Sequence, residues 1–122
     1  MRDGAKMWYI PDCFRPAGGS GEQVSHESIC VLNVTAKDAE LSMSLYFEDD
    51  DPIHGIDIVV PSQRTRHLRM DIPGHIGGVH VPALVPYAAR IESATPVFVQ
   101  YSRLDCSAPQ LALMSTIAIA GE

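Results

Sequence analysis

The sequence predicts an all-β domain, a sandwich or a barrel, with no long helix. Three observations predict it. Leu41, Met43, Leu45 and Phe47 alternate with Ser42, Ser44, Tyr46 and Glu48, the period of two that marks a strand with one buried face and one wet face. Short β-rich runs recur roughly every ten residues, separated by Pro, Gly and Asp. Nowhere do apolar residues recur at the three- and four-residue spacing of a long amphipathic helix.

The strands read as follows along the chain. Residues 6–10 carry Met7, Trp8, Tyr9 and Ile10 and stop at Pro11. Residues 29–34 are β-rich and mostly apolar, which suits a central strand. The alternating strand from Leu41 ends at the polar break Glu48-Asp49-Asp50-Asp51-Pro52. Residues 56–60 stop at Pro61, and 64–70 alternate less cleanly. Residues 87–92 follow Pro86, and 97–103 begin after Pro96, where a missing N–H does no harm. Residues 111–120 are ambiguous: Leu-Ala-Leu-Met suits a helix, but the Ser115-Thr116-Ile117 centre favours a strand. Two stretches read as loops, the Pro/Gly/Ser-rich 15–22 and the span 71–86 with its three prolines and three glycines.

A chain of 122 residues is one domain, and it can bury a core without disulfide or metal. Its 46% hydrophobic and 20% charged residues are globular values and exclude a disordered chain. A net charge of −6 repels a phosphate backbone, so nucleic acid is a disfavoured partner. Five of the nine basic residues nevertheless fall in one stretch: Arg64, Arg66, Arg69, Arg90 and Arg103. The cysteines Cys13, Cys30 and Cys106 are odd in number and widely spaced, with no Cys-x-x-Cys pair, and read as reduced thiols. There is no secretory signal at the N-terminus and no apolar run near the ~20 residues that span a bilayer, so a cytoplasmic protein is expected.

Three clusters carry candidate binding chemistry. His26 and Glu27 are adjacent, so a regular strand would point them to opposite faces and deny them one shared metal. In the run 64–69, Thr65, His67 and Arg69 share one face, while Arg64, Arg66 and Leu68 share the other. A row of Thr, His and Arg can hold an anion or a sugar hydroxyl; the plainer alternatives are a solvated edge or a subunit contact. Gln100 and Ser102 share a face of the strand from Val97, and Arg103 and Asp105 would share the other, as an ion pair fixing a loop. Trp8 reads as core, interface or sugar platform.

Metal and catalytic readings find less. His75 and His80 lie five apart in the glycine-rich loop with Asp71 near, but no His-x-His or Cys pair joins them, and no metal or cofactor is expected. No nucleophile–base pair or spaced acid pair is evident, and Gly18-Gly19-Ser20-Gly21 lacks the Lys-Ser/Thr of a phosphate loop. The chain is therefore not expected to be an enzyme.

Three segments read together carry a resemblance. They are Ser25-His26-Glu27-Ser28 with Cys30-Val31-Leu32-Asn33; then Val60-Pro61 with Arg64-Thr65-Arg66-His67-Leu68-Arg69; then Ile91-Glu92-Ser93, Pro96-Val97, Gln100, Arg103-Leu104-Asp105 and Ser115-Thr116-Ile117-Ala118. In this order, from Trp8 to Ala120, the chain resembles the sensory rhodopsin transducer family. The resemblance implies an antiparallel β-sandwich of jelly-roll type, a homotetramer, and a soluble partner for a membrane photoreceptor. It also brings small-molecule or carbohydrate binding for the wider family, and DNA binding for the rhodopsin partner.

The expected function is a ligand-binding or signal-transducing module that takes a small polar ligand such as a carbohydrate, or a protein partner. The expected binding residues are His26, Glu27, Arg64, Thr65, His67, Arg69, Gln100, Arg103 and Asp105, within one protomer or between protomers. Two alternatives stay open: a DNA-associated regulator that uses its arginine-rich strand, and an enzyme acting on sugars.

Overall fold

The computed structural model describes residues 3–18, 24–108 and 111–121. Eight strands follow in order: β1 (Ala5–Cys13), β2 (His26–Asn33), β3 (Ala39–Phe47), β4 (Ile53–Val60), β5 (Arg64–Arg69), β6 (Tyr87–Asp105), β7 (Ala112–Ile117) and β8 (Ile119–Ala120). The helical content among the described residues is one 3-10 turn, Pro73–His75. The strands form an antiparallel β-sandwich, and its two-layer layout fits the jelly-roll type expected. The first sheet runs β4-β3-β6-β1-β8, and the second runs β5-β2-β6-β7.

β6 belongs to both sheets. Residues 87–93 pair with β3 and 98–104 pair with β2. The sequence reading had two separate strands here, divided at Pro96; the structure has one continuous strand of 19 residues. Residues 94–96 carry no pairing to β3 or β2, so Pro96 sits where the strand leaves one sheet for the other. Its missing N–H costs no ladder bond there. The crossing is held by Ser93, whose hydroxyl donates to the Thr95 carbonyl at 2.6 Å and accepts from the Thr95 N–H at 3.2 Å.

Other boundaries shift for similar reasons. β1 passes through Pro11 to Cys13 because a register shift lies between Ile10 and Cys13, and a bulge tolerates the proline. β2 begins at His26, three residues before the expected start, since polar His26, Glu27 and Ser28 all pair with β6. The ambiguous C-terminal segment is a strand, as its β-branched centre suggested. Of the loop read over 15–22, residues 19–22 lie outside the described residues.

The core lies between the sheets. The inward residues of β3 (Leu41, Met43, Leu45) and β4 (Ile56, Ile58, Val60) face Ile29, Val31, Leu68, Val99 and Tyr101 of the second sheet in one apolar cluster. Trp8 is core, 6% exposed, and its indole N–H points to the carbonyls of Ala5 (3.0 Å) and Val97 (2.9 Å). The loop over 71–86 drops Ile76 and Val81 into the same cluster. At the β2–β3 turn the buried Asn33 amide donates to the carbonyls of Lys37 (2.7 Å) and Val60 (3.1 Å), while its oxygen accepts from the Thr35 N–H at 3.0 Å. That ties the turn to the end of β4 and leaves no buried amide atom unsatisfied.

Candidate functional site

Opposite residues in an antiparallel ladder share a face. The outer face of the second sheet can therefore be read row by row. Leu32 stands between Thr65 and Phe98, Cys30 between His67 and Gln100, and Ser28 between Arg69 and Ser102. His26 stands beside Leu104. β7 extends the rows, placing Ile117 beside Gln100, Ser115 beside Ser102 and Leu113 beside Leu104.

A groove of about 640 Å³ runs over this face, lined by His26, Ser28, Cys30, Leu32, Thr65, His67, Gln100 and Ser102. Ser115 closes one wall: it accepts from the Gln100 amide N–H at 3.0 Å and lies 3.4 Å from the Ser102 hydroxyl. His26 holds its ring through Nδ1, which donates to the Val24 carbonyl at 2.8 Å. A neutral imidazole so held presents Nε2 as an acceptor. Burial raises the Cys30 thiol above its ordinary value, so this side chain is a neutral thiol.

Four of the nine expected residues line this groove: His26, Thr65, His67 and Gln100. Arg69 lies on the same face but is occupied. Its Nε and Nη2 donate to the two carboxylate oxygens of Asp71 at 2.8 and 2.7 Å. The fork also pulls the Asp71 carboxyl below its ordinary value. Arg64 is exposed at the start of β5 and donates to the Gln63 carbonyl at 2.9 Å. Asp105 accepts from the N–H and hydroxyl of Ser107 at 3.0 and 2.6 Å, an Asx turn at the end of β6. It does not form the expected pair with Arg103, whose guanidinium turns instead to Asp12 at 3.8 Å.

Glu27 and Arg103 lie on the other side of the sheet. Glu27 is fully buried. Its carboxylate accepts from the Tyr101 hydroxyl at 2.5 Å, the Phe14 N–H at 3.2 Å and the Tyr87 hydroxyl. Burial drives its pKa up, against the pull of the two hydroxyls, the Phe14 N–H and the Arg103 charge. Arg103 donates through Nε to the Tyr101 hydroxyl at 3.2 Å and covers the rings of Phe14 and Tyr101. This network joins β2, both ends of β6 and the residue after β1, and it presents nothing to the groove.

Sequence reasoning did not single out Ser28, Cys30 and Ser115. The signal existed: His26, Ser28 and Cys30 are polar at a spacing of two, but charged Glu27 lies between the first two, so the run shows no clean alternation of polar and apolar residues. Among the described residues no three His, Cys, Asp or Glu side chains gather as metal ligands, and His75 is held by accepting the Arg69 N–H at Nδ1 (3.1 Å). Among the described residues no helix is long and apolar enough to cross a membrane. A second cavity of about 640 Å³ lies on the outer face of the first sheet, lined by Lys6, Glu40, Asp57 and Glu92 among others.

The model of the family described as Anabaena sensory rhodopsin transducer matches residues 3–120. Among solved structures, Thermotoga maritima 1070 is 35% identical with a TM-score of 0.88, the match covering 99% of this chain and 98% of that one. The Anabaena sensory rhodopsin transducer is 30% identical with a TM-score of 0.74, covering 86% of this chain and 92% of that one. No curated protein shows significant similarity to the chain.

Proposed function

The chain belongs to the Anabaena sensory rhodopsin transducer family, and from that premise we propose that it is a signalling module that binds a small, uncharged, hydroxyl-rich ligand, a carbohydrate, in the groove of its second sheet. One observation carries the reading: the groove is lined by hydroxyls, imidazoles, an amide and a thiol, with no free charge. Each sugar hydroxyl both donates and accepts, which a Ser, Thr, Gln and His lining answers in kind. An anion would need the Arg69 fork, which Asp71 holds.

The module acts without a cofactor and as a homo-oligomer, with a tetramer as the expected state. Every residue of β7 is exposed, Leu113 by 75% and Ile117 by 63%, which suits contact with another protein surface. Its proposed input is a membrane photoreceptor met through protein contact, a reading supported by the likeness to a protein named a sensory rhodopsin transducer. DNA is a poor partner for a chain of net charge −6.

A thermal-shift screen of the purified protein against neutral sugars, sugar acids and sugar phosphates tests the ligand. A ligand at a hundred times its Kd stabilises the fold by about 2.7 kcal/mol, a rise of several degrees. The account expects the rise with neutral sugars alone. A rise with the acids and phosphates alone overturns it.

A further inference from the structure

Each sheet leaves an open edge on one side of the sandwich. Among the described residues β4 pairs only with β3, and β5 pairs only with β2. The two edges face each other across a slot of about 350 Å³, lined by Asp57, Val59, Arg66, His67, Gly74 and His75 among others.

The free polar groups of β5 follow from its last residue. The Arg69 N–H donates to His75 Nδ1 at 3.1 Å, and the Arg69 carbonyl accepts from the Ile72 N–H at 3.2 Å, so both groups point away from β2. In an antiparallel ladder this direction alternates along the strand, so the N–H and carbonyl of His67 and of Thr65 point the same way as those of Arg69. The turn over 71–75 covers the outward pair of Arg69 and leaves the two before it open. Thr65 and His67 are both exposed.

An edge with unmet donors and acceptors is a template for a further strand. Charge decides which strand fits. Arg64 and Arg66 are exposed, lie on the side of β5 away from the groove, and form no ion pair among the described residues. A second β5 edge cannot pair here, because its arginines would stand against these and repel them. Acidic side chains at a spacing of two would lie opposite both. The pairings of this fold are antiparallel. In an antiparallel partner, residues opposite Thr65 and His67 turn their amides to β5, and residues opposite Arg64 and Arg66 turn theirs away.

We propose that the free edge of β5 binds an extended acidic segment of another protein, added antiparallel as a further strand with alternate Glu or Asp side chains against Arg64 and Arg66. The contact goes beyond the ligand reading. It is made by backbone groups at the edge, so it stands whether or not a sugar occupies the groove.

The probe is the peptide Thr-Glu-Thr-Glu-Thr-Glu-Thr, titrated at low ionic strength into isotope-labelled protein while the backbone amides are followed by NMR. The largest shifts should fall on the Thr65 and His67 amides. Methylating the peptide's Thr amides, which face β5, should weaken binding by about tenfold or more, and methylating its Glu amides should leave it intact. The charge-reversed variant Arg64→Glu/Arg66→Glu, changed only at exposed positions, should lose the acidic peptide and take up Thr-Lys-Thr-Lys-Thr-Lys-Thr, which also reports that it is folded. Shifts centred elsewhere, no shifts at all, or binding that ignores which amides are methylated overturns the proposal. If the Thr65 and His67 amides of the free protein are protected from hydrogen exchange and lose that protection on dilution, a second copy holds the edge and the proposal fails. If a DNA duplex moves these amides and the peptide does not, the edge reads a phosphate backbone and the proposal fails likewise.

Discussion

The Tyr101 hydroxyl donates to the Glu27 carboxylate at 2.5 Å across the interior of the sandwich, and Tyr87 donates to the other oxygen of the same group. Both tyrosines belong to β6, one in each sheet. One buried acid thus fastens the two halves of the shared strand, at the end of the molecule where Phe14 leaves β1.

The first prediction concerns pH. Burial raises the folded-state pKa of Glu27 above its unfolded value. Its contribution to stability is then full below the unfolded carboxylate range, about 4.3, and is lost as pH rises through the raised folded value. Glu27→Gln removes that dependence. Urea unfolding from about pH 4 to about pH 8 should show the variant gaining on the native protein as pH rises. A variant that loses ground with rising pH contradicts the assignment.

Gly4→Ala should be severe for its size. Gly4 has φ +113°, and an added Cβ would fall 2.2 Å from the Val97 carbonyl oxygen. That carbonyl is also an acceptor of the Trp8 indole, so β1 must move away from β6 or lose that bond. A loss of about 2–4 kcal/mol is expected in chemical denaturation, from strain plus a broken buried hydrogen bond. A change under about 0.5 kcal/mol, the range of ordinary surface substitutions, contradicts the geometry.

Asp71→Asn should change ligand preference more than fold. The substitution releases the Arg69 fork beside Ser28 and His67 and gives the groove face a free cation. Affinity for a sugar acid should rise on the order of tenfold, about 1.4 kcal/mol, with the neutral sugar little changed. Calorimetric titration of the native protein and the variant with glucose and glucuronate measures it. Equal preference in the two proteins contradicts the claim that Asp71 keeps the groove neutral.

The strands were legible because alternation reports burial directly: Leu41, Met43 and Leu45 announce β3, and the turn at residues 48–52 announces its end. The unity of β6 was not legible, since Pro96 is a strand breaker unless the strand changes sheets at that point, which only tertiary pairing decides. The candidate site was half legible. Thr65 and His67 share a face at a spacing of two, and the structure keeps them together in the groove. The charged residues are placed by partners that the sequence does not reveal. Glu27, Arg69 and Arg103 read as ligand contacts because exposed charges usually face solvent or ligand, but each is held by neighbours in the fold. Two of those neighbours, Tyr87 and Tyr101, lie 60 and 74 residues from Glu27, beyond the reach of local pattern.

The central claim is that a neutral sugar binds over the outer face of the second sheet. The most direct measurement is calorimetric titration of the native protein and of Gln100→Ala with the sugar that gives the largest thermal shift. The substitution removes an exposed side chain at the centre of the groove, so the fold should persist while its hydrogen bonds to the ligand are lost. Affinity should fall by about tenfold or more, and His67→Ala, in the same row on the far side of Cys30, should do the same. Unchanged affinity in both variants would contradict the account and place the ligand elsewhere on the molecule.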